Sequence, residues 1–86
     1  MNTITTIEIA KGKLRYILFS TVSDGFVQYG ITVNSTLFGD ETATLSEIST
    51  DEIFVQRLMN MLADNMVLPS TFKEVVEEYV SVAMTV

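Results

Sequence analysis

The sequence predicts an α+β fold, a four-stranded antiparallel β-meander followed by two C-terminal helices packed on one face of the sheet. Three observations lead there. The hydrophobic rhythm switches at Glu47–Glu52, from strand-like alternation before it to helical spacing after it. Turn dipeptides punctuate the first half at Lys11-Gly12, Asp24-Gly25 and Gly39-Asp40. Finally, the registers implied by the first two turns agree on a single core face. Strands are expected over about 3–10, 13–22, 26–37 and 42–48, and helices over about 50–64 and 69–83, in one domain spanning 1–86.

A two-residue loop at Asp24-Gly25, a preferred type I′ dipeptide, pairs Val22 with Val27, Ser20 with Tyr29, Leu18 with Ile31 and Tyr16 with Val33. A loop at Lys11-Gly12 pairs Ile9 with Leu14 and Ile7 with Tyr16, on the same face. Glu8 then falls opposite Arg15 on the other face, as a cross-strand ion pair. In the fourth strand Ala43 and Leu45 share one parity. A three-residue loop with Gly39 in a left-handed conformation turns Leu45 toward the core.

Ser49 followed by Glu52 reads as a capping box, with Asp51 adding negative charge at the helix start. Phe54, Val55, Leu58, Met59, Leu62 and Met66 form the apolar stripe of the first helix, with Ile53 an exception on its polar side and Asn65 the C-terminal cap. Pro69 opens the second helix, in which Phe72, Val75, Val76, Tyr79, Val80 and Ala83 follow helical spacing. Its tail beyond Ser81 is β-branched and expected to fray.

The chemistry of the chain is sparse. It contains neither cysteine nor histidine, so disulfides, thiolates and the commonest general base are excluded. No Gly-x-Ser-x-Gly elbow is present, and the four glycines form no phosphate-cradling loop. The acidic set Asp40, Glu41, Glu47, Asp51 and Glu52 does not match the spacing of an EF-hand loop. The expectation is therefore no enzyme, no catalytic residue, no cofactor and no metal.

Residues 1–37 carry three basic side chains against two acidic ones, and residues 38–86 carry two against nine. An acidic half repels phosphate backbones and argues against nucleic acid as a partner. No apolar run is long enough for a membrane span, and the N-terminus lacks the pattern of a signal peptide. A cytoplasmic protein is expected.

Two helices can cover only one face of a small sheet. Ile4, Ile17, Phe19 and Phe26 share the opposite parity, with Ile4 opposite Phe19 and Phe19 opposite Gly30, whose missing side chain the ring can cover. These four form the candidate interface, because a contiguous exposed apolar patch usually marks one. A symmetric dimer is the commonest way to cover it, and an unidentified protein partner the other. The alternative reading is a small-molecule-binding regulatory domain with a pocket between sheet and helices near Tyr16, Tyr29 and Tyr79. Met59, Met61 and Met66 can line an adaptable groove, although filling gaps in a small core is their plainer use.

Tyr29-Gly30-Ile31, Ile48-Ser49-Thr50-Asp51, Pro69 and Val75-Val76-Glu77-Glu78-Tyr79 together resemble a domain-of-unknown-function family of small Gram-positive bacterial proteins. The resemblance runs from about Tyr29 to Tyr79 and implies strands first, two helices after, and a bacterial cytoplasmic setting. That pattern often has a histidine shortly after the proline. This chain has Ser70-Thr71-Phe72 there, so no imidazole role carries over.

Overall fold

The structure, a computed structural model, describes residues 3–84, and the side chains of these apart from residues 3–6, Ser23 and Met84. Four antiparallel strands, β1 (Thr3–Lys11), β2 (Leu14–Ser23), β3 (Phe26–Ser35) and β4 (Glu41–Ser49), form one open sheet in the order β1-β2-β3-β4. Helices α1 (Glu52–Asp64) and α2 (Pro69–Met84) follow and pack on one face of it.

The β2–β3 hairpin forms in the predicted register, from Val22 opposite Val27 to Tyr16 opposite Val33. Asp24 and Gly25 both take positive φ, 53° and 81°, as a type I′ turn requires. The first hairpin differs. Its loop is Gly12-Lys13, with Lys11 opposite Leu14, Ile9 opposite Tyr16 and Ile7 opposite Leu18. Only Gly12 has a positive φ (63°), the pattern of a type II′ turn, in which glycine takes the first central position. The register therefore moves by two residues and keeps Ile7 to Leu14 on their expected faces. Glu8 lies opposite Ile17 rather than Arg15, yet Arg15 reaches it diagonally, donating from Nε at 3.1 Å and also from Nη2.

Each edge strand carries a bulge that periodicity did not reveal. In β1, Thr5 pairs with Phe19 and Ile7 with Leu18, leaving Thr6 as the extra residue. In β4, Ile31 pairs with Leu45 and Tyr29 with Ser49, so Ser46, Glu47 and Ile48 together oppose Gly30. Glu47 takes φ 57° at the turn of this bulge. The β3–β4 connection spans residues 36–40 rather than three residues. Both lengths are odd, so Ala43 and Leu45 still pack against the core, and Gly39 has φ 98° as expected.

The N-cap of α1 is Asp51, not Ser49. Its carboxylate accepts from the Phe54 N–H at 3.2 Å, while Ser49 Oγ accepts from the Asp51 N–H one step earlier. At the other end Asn65 caps as expected, its side-chain amide donating to the Met61 carbonyl at 2.8 Å. Met66 N–H then bonds to the Ala63 carbonyl and Val67 N–H to the Leu62 carbonyl, the paired bonds of a Schellman motif. That motif needs a left-handed residue, and Met66 supplies it at φ 51°. Met66 is thus drawn out of the apolar stripe and is exposed. Met66→Gly removes the Cβ penalty and is expected to stabilise the fold by about 0.5–1 kcal/mol, a rise of several degrees in a thermal melt. The second helix runs to Met84, one residue beyond the expected 69–83.

Leu14, Tyr16, Leu18, Ile31 and Val33 of the sheet meet Val55, Leu58, Met59 and Leu62 of α1 and Phe72 and Val76 of α2 in one core. Tyr16 is fully buried, and its hydroxyl donates to the Val67 carbonyl at 2.9 Å, tying the sheet to the connection between the helices. Burial pushes the Tyr16 hydroxyl above its ordinary pKa of 10.0. Tyr16→Phe leaves that carbonyl without its donor and is expected to cost about 1–1.5 kcal/mol in urea unfolding. The pH effect has a definite sign. Above pH 10 the unfolded chain releases this proton while the folded chain holds it, so stability is full below pH 10 and falls as pH rises beyond it. The Phe variant loses that part of the alkaline decline.

Candidate functional site

The helices leave the second face of the sheet uncovered, and its centre is largely polar. Thr32 and Thr44 share a hydroxyl–hydroxyl bond at 2.9 Å, and Thr42 donates to the Asn34 side-chain oxygen at 2.9 Å. Of the four residues expected to form an apolar patch here, the structure brings together fewer than the alternation implied. Phe19 is buried, with only 7% of its surface exposed. Its ring lies over Gly30, as anticipated, where a Cβ would come within 2.7 Å of Phe19 Cζ. Ile17 is half-buried. Ile4 pairs with Ser20 instead of Phe19: the two-residue shift of the turn and the extra residue at Thr6 together set it at a register position of the core face, and its side chain lies outside the described residues. Phe26 remains open to solvent, at 65%.

Phe26 does not stand alone. It is the first residue of β3, directly after the Asp24-Gly25 turn, and pairs with Ser23. Val22 and Val27 face each other one step further in, each more than two-fifths exposed. Register assigns these valines to the core side, but the helical layer does not cover this end of the hairpin. The tip is therefore apolar on both faces and held rigidly by a two-residue turn. Sequence alternation reported which face Phe26, Val22 and Val27 occupy; it held no signal for how far along the strands the helices would reach.

The other candidates resolve into ordinary roles. Asp51 is a helix cap, and Asp40, Glu41 and Glu47 are exposed. Among the described residues no group of three or more acidic, histidine or cysteine side chains is placed to hold a metal ion. Tyr16, Tyr29 and Tyr79, the proposed walls of a pocket between sheet and helices, pack into or against the core, and Tyr79 stacks at a tilt on Phe54 with centroids 5.6 Å apart. Open grooves line the margins of the molecule, and one of about 360 Å³ lies between β4 and α2, walled by Leu45, Ile48, Val76 and Val80. One, of about 430 Å³, runs beside α2 and is lined by Met61, Val75, Glu78, Tyr79, Val82 and Ala83. Another, of about 320 Å³, lies beside Lys13, Arg15 and Asp40 at the opposite end of the sheet from the hairpin tip, and Glu8 already neutralises Arg15. Among the described residues no helix is long and apolar enough to cross a membrane.

A four-stranded meander with both helices on one face defines a two-layer α+β protein. The chain belongs to DUF6514, a family of unknown function, whose model matches residues 1–82. That match takes in the first two strands as well, beyond the stretch that carried the sequence resemblance. No curated protein matches the chain, and no solved structure does.

Proposed function

We propose that this chain is a small non-catalytic protein-interaction module of the bacterial cytoplasm, which pairs with a second copy of itself through the hairpin end of the second sheet face. The observation that carries the proposal is Phe26, 65% exposed on that face directly after a rigid two-residue turn. A large apolar side chain presented on a preorganised element loses little entropy on docking, which is where interface energy concentrates. Ile17 extends the contact along the same face as Phe26. Edge-to-edge pairing is the less favourable route, since bulges interrupt the ladders of both edge strands, β1 and β4.

Size-exclusion chromatography with light scattering at high micromolar concentration tests this reading. The expected mass is twice the 9.6 kDa of the chain. Phe26→Ser, at an exposed position, is expected to keep the circular dichroism spectrum and weaken the dimer tenfold or more, roughly 1.4 kcal/mol. A wild-type monomer under these conditions, or a dimer indifferent to the substitution, refutes it.

A further inference from the structure

A second surface, on the helical layer, points to a different occupant. We infer that the groove beside α2 docks an amphipathic helix of another protein, one whose apolar stripe is flanked by lysine or arginine. The groove has the form such a partner needs. Its volume of about 430 Å³ is walled by Met61 from α1 and by Val75, Tyr79, Val82 and Ala83 from α2. Val75, Tyr79 and Val82 recur at helical spacing, so they present a continuous strip for the i, i+3, i+4, i+7 anchors of a partner helix. Tyr79 and Val75 are half-buried and Val82 is 60% exposed, which leaves apolar surface to cover. Met61 adds an unbranched, adaptable wall.

The charge around the strip selects the partner. Among the described residues Glu78 is the single charged side chain lining the groove. Glu74 lies one turn before it on the same row of α2, and Asp64 lies three residues after Met61 on α1. Arg57, four residues before Met61, is the one cation that spacing brings to this rim; Lys73 lies on the opposite side of α2. The last turn of α2 has no basic residue either, so the negative end of the helix dipole adds to the carboxylates. A second copy of this chain fits poorly, because a twofold contact through α2 brings two acidic Glu74–Glu78 rows to one rim with no added cation. A basic helix meets no such repulsion.

Two designed peptides of about 18 residues, five turns of helix, test the inference. Both carry the same leucine stripe; one is flanked by lysines and the other by glutamates. Titrated into the ¹⁵N-labelled chain, the lysine peptide is expected to bind at least tenfold tighter, about 1.4 kcal/mol. Its shift changes should centre on Met61, Tyr79, Val82 and Ala83. In the double variant Glu74→Lys with Glu78→Lys, both at exposed positions, the preference is expected to narrow or reverse. Raising the salt toward ~1 M should narrow it in the wild type. Equal affinity for the two peptides, shift changes confined to the β2–β3 hairpin, a preference untouched by the charge reversals, or self-association lost in Val82→Glu overturns the inference. The Phe26 dimer can fail without affecting this result, because the two surfaces lie on different layers.

Discussion

Gly30→Ala is expected to destabilise the protein by about 3 kcal/mol or more, the upper part of the range for overpacking a close contact. The reason is steric, since Gly30 does not have the positive φ that marks Gly12, Gly25 and Gly39. A Cβ placed there would meet the Leu45 carbonyl oxygen at 2.4 Å, Phe19 Cζ at 2.7 Å and Ser46 Cα at 2.8 Å. Two of these three atoms are backbone, belonging to the β4 bulge, and cannot step aside by a rotamer change. The third is an aromatic ring already buried over the glycine. Making room requires the bulge to open, with loss of the bonds that hold β4 to β3. Urea denaturation followed by circular dichroism measures the cost. A double-mutant cycle with Phe19→Leu separates the two sources: the ring's share appears as a coupling of order 1 kcal/mol, and the backbone share persists in the double variant. A Gly30→Ala variant within about 0.5 kcal/mol of wild type would show that the bulge yields easily.

The same glycine marks the limit of what could be read from the chain. Phe19 opposite Gly30 followed from the Asp24-Gly25 turn, because a type I′ loop with two positive-φ residues leaves one register available. The core face followed as well, since a slip of two residues in the first hairpin preserves parity. The bulges did not follow. Thr6 and Glu47 are ordinary residues that a regular strand accepts, and nothing in composition sets them apart. Their consequences reach the candidate site: one transfers Ile4 to a register position of the core face, opposite Ser20, and the other brings Leu45 and Ser46 over Gly30, beside the Phe19 ring. Helix capping shows a related ambiguity. Ser49, Asp51 and Glu52 all have side chains suited to a helix start, and the choice of Asp51 depends on where β4 releases the chain. What remained of the predicted patch is Phe26 with the half-buried Ile17, while two valines on the opposite face of the same hairpin tip owe their exposure to tertiary extent. A pattern of alternation holds no such information.

Phe72→Ala is expected to cost about 3–5 kcal/mol, from lost transfer energy plus the cavity left behind. Total stability at about 0.05–0.15 kcal/mol per residue is of the order of 4–13 kcal/mol for a chain of 86 residues. The substitution therefore removes a large share of it. Phe72 is fully buried in the first turn of α2, immediately after the Pro69 start, and joins the core with Val76 one turn later. Few other residues fix α2 so directly, since Val75, Tyr79 and Val80 are only half-buried. Losing the ring should thus loosen α2 ahead of the sheet. Hydrogen exchange is expected to show protection falling first along Thr71–Val80, with the β2–β3 ladder protected until global unfolding. Phe38→Ala provides the control: that ring is 77% exposed in the β3–β4 connection, and its removal should change stability by no more than about 0.5 kcal/mol. If Phe72→Ala were no more costly than Phe38→Ala, the packing of α2 on the sheet would have to rest on other contacts. A groove that depends on α2 holding its place beside Met61 would then need a different support.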